Sequence, residues 1–417
     1  MLDCLVRPLN RNDRSIATFT GLGHGTLHGF ELAIPLFVPL WLTEFDVTPT
    51  TLGIAIGAGY ALVGLVAPFA GVLSDQYGSK QIVLASIGGM GFSFAALVVV
   101  ESLLVLAAVL VLWGLAAGLY HPAGLSLISR GSERRGAVLA YHGAAGNVGM
   151  VLFPLATIVL LLVFDWRLVA LLLSLPAALC VFVGFFLEFE GRANPNERGT
   201  ERRQVDVVAS VRRFLGTTRG MFVGGFLILF AIQMVYGTYY RGVFTFLPEV
   251  LGDLPIFEPV VVGTHELEAG QLVYTGLLVV GIFGQYTGGM LSDRIDPERA
   301  LIGNFVVLIT ASLLFVPAAS AGITPLLFIC VILGFSIYSF GPIGQSLIAE
   351  YVSEQQHGLS YGYVYLGTFG VGALGAALAG MSLDFGGMSA LFAVLAALIG
   401  VCTVLAVVLH TRVAKPT

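Results

Sequence analysis

Apolar residues come in blocks of about twenty or more along this chain, separated by short polar turns, without the strict alternation of a half-buried strand. A helical block of that length matches the hydrocarbon thickness of a bilayer. The blocks fall near 16–42, 49–73, 80–100, 103–128, 136–163 and 167–187, and then near 220–247, 269–292, 300–319, 322–348, 358–382 and 387–411. The pattern predicts an all-α membrane protein of twelve transmembrane helices. Residues 1–187 form an N-terminal six-helix bundle, the charged stretch 188–219 a cytoplasmic linker, and residues 220–417 a C-terminal six-helix bundle.

Composition strengthens this reading. Charged residues make up 11% of the 417, against about 25% in an ordinary globular protein, and mean hydropathy is +0.92. A soluble fold lacks the polar cover for that much apolar surface. A soluble enzyme, a DNA-binding module and a disordered scaffold are therefore excluded, and a net charge of −5 offers no surface for nucleic acid. The lipid bilayer is the expected surrounding. Cys4, Cys180, Cys330 and Cys402 lie far apart, so neither a disulfide framework nor a metal-ligand spacing is expected. No nucleotide-binding loop is present, and no cofactor is expected. Met1 to Arg14 lacks a small-residue cleavage site, so no signal peptide is expected.

Arginine and lysine set the orientation. With the N-terminus inside, the expected cytoplasmic segments hold 18 of the 20 Lys and Arg residues, the exceptions being Arg167 and Arg241. The opposite loops are acidic, with Glu44, Asp46, Glu101, Glu249, Asp253, Glu258, Glu266 and Glu268. Both termini are expected to be cytoplasmic, in a multi-pass protein of the cell membrane.

An internal repeat supports the division in two. Gly71-Val72-Leu73-Ser74-Asp75 after the second span returns 218 residues later as Gly289-Met290-Leu291-Ser292-Asp293 after the eighth. Such duplication is the mark of a doubled six-helix unit. The first copy continues to Gly78 and Lys80, the second to Arg294 and Asp296-Pro297. Physically, the glycine allows close helix approach, and the aspartate can be held by a helix N-terminus or an arginine, latching one side of the bundle.

The Gly-x-Leu-Ser-Asp-x-x-Gly-x-Lys loop resembles the signature loop of the major facilitator superfamily. The resemblance implies two pseudo-symmetric bundles around a midplane cavity, with Gly71, Asp75, Gly78, Lys80, Gly289, Asp293 and Arg294 as gating residues. Gln76, where the family often has arginine, and Asp296-Pro297 in the second copy depart from the pattern. A narrower likeness rests on Gly118-Leu119-Tyr120-His121-Pro122-Ala123, on Tyr141-His142-Gly143-Ala144-Ala145-Gly146-Asn147, and on Gly23-His24 with Thr43-Glu44-Phe45. These resemble the fosmidomycin-resistance branch, which comprises drug-export permeases. Phe153-Pro154, in place of Gly-Pro late in the fifth span, and the lack of arginine in the fourth depart from related antiporters.

Ionisable groups within spans are costly and so are functional candidates. His24, His28 and Glu31 share one face of the first span, His24 roughly 12 Å and Glu31 roughly 23 Å in from Ile16. A carboxylate beside imidazoles can load and release a proton near neutral pH, so these three are the expected proton-coupling residues. A polar cluster that only ties spans together is the plain alternative. His121, His142 and Asn147 are candidate substrate contacts, with the two histidines facing each other or His24, or packing against a backbone carbonyl. Imidazoles also suit metal ions, but no carboxylate or cysteine stands at ligand spacing beside these two.

In the second half, Gln233, Tyr236, Tyr240, Gln285, Tyr338 and Gln345 are candidates for orienting hydrogen bonds to a substrate. Arg241 can clamp an anionic group. Lying six residues before the span's expected end, it is also explained by snorkelling outward, the slightly favoured expectation. Glycines such as Gly53, Gly57, Gly284 and Gly288 permit the close packing that rocking bundles need. The expectation is a monomeric secondary transporter working by alternating access, a proton-coupled exporter of drug-like or anionic small molecules. The alternatives are a proton-linked importer of a metabolite and a transporter-like receptor. An enzyme is disfavoured, because no nucleophile–base pair appears.

Overall fold

A computed structural model describes residues 8–189, 222, 224–257, 260–262, 265–352 and 357–413. The charged stretch expected as a linker lies outside these residues from 190 to 219, as do Arg7 and Lys415.

The N-terminal helices are α1 (Arg11–Phe45), α2 (Pro49–Tyr77), α3 (Ser79–Ala96), α4 (Leu103–Gly118), α5 (Tyr120–Gly131), α6 (Arg135–Leu161) and α7 (Trp166–Phe186). The C-terminal set is α8 (Gly225–Gly252), α9 (Ala269–Arg294), α10 (Pro297–Ala321), α11 (Ile323–Tyr351), α12 (His357–Tyr365) and α13 (Leu374–Arg412). Between α12 and α13 lies a π-helical segment, Leu366–Val371. An antiparallel hairpin of β1 (Val260–Val262) and β2 (His265–Leu267) follows α8. Nothing in the apolar pattern announces it, because three-residue strands leave too short a signature.

Local chemistry sets the helix ends. Asn10, Thr48, Asp165 and Asp296 cap helix N-termini through their side chains, and Pro49 and Pro297 follow at the first helical position, where a missing N–H costs nothing. Asp46 ends α1 in the left-handed region at φ 49°. Gly78, at φ 91°, turns the chain between α2 and α3 in a conformation that a Cβ disfavours. Buried Asp13 on α1 accepts from the N–H groups of Glu133 and Arg134 at 3.0 and 2.9 Å. That bond ties the start of α6 to the start of α1.

Ten helical stretches among the described residues are long and apolar enough to cross a membrane. Helix α8 has 28 residues but is not one of the ten; Gln233, Tyr236, Tyr239, Tyr240 and Arg241 dilute its centre. The last stretch, 359–412, has 54 residues, or about 80 Å if straight, far beyond a bilayer core of about 30 Å. It does not run straight: Gly386 and Gly387 have non-helical backbone angles.

The N- and C-terminal helices meet through bare backbone. A Cβ at Gly53 would sit 2.4 Å from the Ala376 carbonyl oxygen, and one at Gly64 would sit 2.1 Å from the Gly370 nitrogen. Asp384, beside the Gly386 kink, accepts from the Thr50 N–H at 3.0 Å and from its hydroxyl. The Tyr274 hydroxyl donates to the Leu32 carbonyl at 3.0 Å. These cross-contacts sit at mid-helix and toward the end that carries Asp46 and Gly386.

Candidate functional site

The polar groups of α1 start a chain that runs through the centre of the protein. His28 Nδ1 lies 2.7 Å from Glu31 Oε2, and His28 Nε2 lies 3.1 Å from His24 Nε2. His24 Nδ1 is 2.8 Å from the backbone oxygen of His142 on α6. The His24 and His142 rings stack with centroids 3.9 Å apart. His121, at the start of α5, stands edge-on to His24 at 5.2 Å and tilted to His28 at 5.5 Å. The structure thus brings all four histidines together, through a close contact of α1 with α6. A Cβ on Gly149 would meet the Gly25 oxygen at 1.9 Å, and one on Gly146 would meet His24 Nδ1 at 2.5 Å. Only glycine at 146 leaves His24 its place.

The other carboxylate oxygen of Glu31, Oε1, accepts from Arg241 Nη2 on α8. This ion pair joins N-terminal to C-terminal helices and is nearly dry, with the side chains 5% and 2% exposed. The guanidinium carbon lies 3.7 Å from the centroid of the Tyr60 ring, with the Tyr240 and Phe369 rings at 5.4 and 5.7 Å. Aromatic faces offer a cation charge without hydration. The snorkelling expectation for Arg241 is therefore corrected. Helix α8 continues to Gly252, so Arg241 lies about one and a half helical turns deeper than the apolar pattern implied, and it points inward to a carboxylate.

The His142 carbonyl only accepts, so His24 Nδ1 must carry a proton. One proton must lie between the two Nε2 atoms, and another between His28 Nδ1 and Glu31. That makes three, whereas two neutral imidazoles and a carboxylate hold two. Satisfying all three contacts at once takes one proton more than these groups hold in that state.

Similarity to known proteins agrees with this architecture. The profile of the Major Facilitator Superfamily matches residues 25–340 and 254–417. The chain belongs to the major facilitator superfamily. It is accordingly a multi-pass membrane transporter and not an enzyme. It is 24% identical over 343 residues to the multidrug resistance protein MdtG of Escherichia coli O9:H4 (strain HS), across 80% of this chain and 79% of that one. It is 32% identical over 136 residues to the uncharacterized MFS-type transporter YqjV of Bacillus subtilis (strain 168), a match spanning 31% of this chain and 33% of YqjV. Among solved structures it superposes on a bacterial homolog of the human lysosomal transporter Spinster in an inward-facing, occupied conformation, with TM-score 0.75 at 14% identity, covering 97% of each chain. A D-xylose–proton symporter gives TM-score 0.74 at 15% identity, over 97% of this chain and 98% of that one.

The superfamily's signature loop has a local partner here. Asp75 pairs with Arg130 of α5 at 2.6 Å, with the side chains 68% and 49% exposed, and Arg130 also reaches Ser79 at 3.0 Å. Lys80 donates to the Leu187 carbonyl at 2.7 Å. All of these contacts stay within the N-terminal helices. Asp293 and Arg294 are exposed, and among the described residues neither forms an ion pair. Close packing, the reason assigned to the loop glycines, does not apply at Gly71, where a Cβ would meet nothing within 4 Å, and at Gly289 the nearest atom is Pro342 Cβ at 3.8 Å. Gly78 is needed for its backbone angle instead.

The C-terminal candidates divide. Tyr240 lies against Arg241, with its hydroxyl 3.4 Å from that of Tyr338. Gln233 accepts from Thr368 at 2.9 Å, and the Tyr236 hydroxyl donates to the Ile337 carbonyl, so both are engaged by other C-terminal residues. Gln285 and Gln345 are exposed and Asn147 half-buried. Sequence reasoning missed Tyr60, whose hydroxyl donates to the Glu31 carbonyl at 2.8 Å. A mid-span tyrosine in α2, far from any interface, needs a hydroxyl partner, and that was its signal.

Proposed function

We propose that this transporter is a proton-coupled exporter of small amphiphilic compounds that works by alternating access. Residues 1–187 and 220–417 act as two six-helix bundles joined by a cytoplasmic linker. Counting α8 and dividing the last stretch at Gly386 gives twelve spans, with both termini cytoplasmic in the cell membrane. The chain works as a monomer. The observation that carries the reading is the buried Glu31–Arg241 pair, which joins N-terminal to C-terminal helices and shares its carboxylate with a chain of histidines. The bundles cannot part at this level without breaking it.

The sign of coupling follows from linkage. A cationic or donor-rich substrate that takes Glu31 competes with the proton, which gives antiport. An anion that takes Arg241 instead frees Glu31 to accept a proton, which gives symport and import. Similarity to a multidrug resistance protein favours the first case; the buried arginine is the specific ground for the second. Proteoliposomes with an acidic lumen and an internal pH dye separate the two. A lipophilic cation added outside should make the lumen alkaline through the wild type and not through Glu31→Gln. If instead a phosphonate or carboxylate added at acidic external pH makes the lumen acid, the chain is a symporter. If no compound moves protons, the coupled reading fails.

A further inference from the structure

We propose that His24, His28 and His121 form a binding site for a divalent first-row transition-metal ion. The site goes beyond the transport reading and does not depend on it. The two Nε2 atoms of His24 and His28 face each other at 3.1 Å, close to the separation of about 3.3 Å between nitrogens on a tetrahedral ion with bonds of about 2.0–2.1 Å. A nitrogen of His121 completes a set lying within 4.8 Å of one another.

The decisive feature is what holds the far side of each ring. His28 Nδ1 is bonded to the Glu31 carboxylate at 2.7 Å and His24 Nδ1 to the His142 carbonyl at 2.8 Å. Carboxylate and carbonyl partners on the second nitrogen are what orient metal-bound histidines and direct the other lone pair inward. With both Nδ1 atoms donating, the two Nε2 lone pairs face each other across 3.1 Å and are placed to hold a cation between them. The titratable and charged groups facing the seat are Glu31, His142 and Tyr120, with Arg241 behind Glu31 and Tyr365 stacked on His121 at 5.0 Å. His142 lies parallel on His24, so it is a wall and not a ligand. The His28 side chain is 24% exposed and gives the ion a way in.

The test is calorimetry of ZnCl2 and NiCl2 binding to the detergent-purified full chain, without a polyhistidine tag, in two buffers of different protonation heat near pH 7. One ion per chain should bind with micromolar or tighter affinity and release about one proton. His24→Gln, His28→Gln and His121→Gln should each weaken binding about a hundredfold or more, while His410→Gln, in the separate Asp296–Glu298–His410 group, should leave it unchanged. Co2+ bound to the wild type should show the intense visible absorption of a four-coordinate nitrogen site, a readout that needs no variant. Absence of binding, binding that persists in the His24 and His28 variants, or binding lost in His410→Gln would each overturn the site. Proton flux would be untouched by any of these results, so failure here leaves the transport reading standing.

Discussion

Arg241→Met is the most revealing single change. Methionine keeps much of the reach along α8 but removes the charge, leaving Glu31 buried with His28 as its remaining side-chain partner among the described residues. Removing one member of a buried ion pair costs about 3–5 kcal/mol. Because His28 stays on the second carboxylate oxygen, we discount this to about 2–3 kcal/mol, charged to the conformation in which the bundles touch. When the bundles part, water hydrates the carboxylate and the penalty disappears. The equilibrium should therefore move toward the parted form by about 30- to 150-fold. Spin labels at Thr43 and Phe385, exposed positions near the end where Thr50 meets Asp384, read this as a longer distance population. The double variant Glu31→Gln/Arg241→Met removes both charges and should return most of the shift. Distance distributions that are the same in wild type and Arg241→Met, with both proteins monodisperse, would refute the idea that the pair latches the bundles.

Three further expectations follow from neighbouring contacts. Tyr60→Phe should cost about 1 kcal/mol by orphaning the Glu31 carbonyl while keeping the ring under Arg241, whereas Tyr60→Leu should cost more; chemical unfolding in detergent ranks them. Gly146→Ala places a Cβ 2.5 Å from His24 Nδ1, so it should abolish substrate-driven proton flux in vesicles while leaving expression and membrane insertion intact; normal flux would remove His24 from the proton chain. Asp75→Asn breaks a largely exposed pair, so thermal stability should change by less than about 1 kcal/mol, and any loss of transport rate at unchanged stability marks a gating role.

The membrane helices were legible because length and apolarity alone define a span. The face shared by His24, His28 and Glu31 was legible because i, i+4 and i+7 fall on one side of a helix. The partner of Glu31 was not. Arg241 stands 210 residues away, and the apolar pattern ended α8 too early, so a buried clamp resembled an interfacial cation. Tyr60 escaped for a different reason: its role is fixed by a backbone carbonyl on another helix, and a backbone carbonyl has no residue identity to read. Asp13, buried and capping α6 from 120 residues away, shows the same blindness. Gly71 shows the converse. The motif was visible, but the packing reason assigned to it was absent from the fold.

The central ion pair also determines what the membrane voltage acts on. Glu31 and Arg241 cancel, so the deprotonated cluster carries no net charge through the low-dielectric middle of the bundle. A proton added to the histidine chain would give it one positive charge. Such a charge feels about 2.3 kcal/mol for every 100 mV across which it moves, whereas the neutral cluster feels nothing. In the proposed cycle, electrical potential therefore acts on the proton-loaded limb, and on the other limb only through the charge of the substrate it carries. On that basis, at equal proton-motive force, a voltage and a pH difference should not be interchangeable drivers of this carrier.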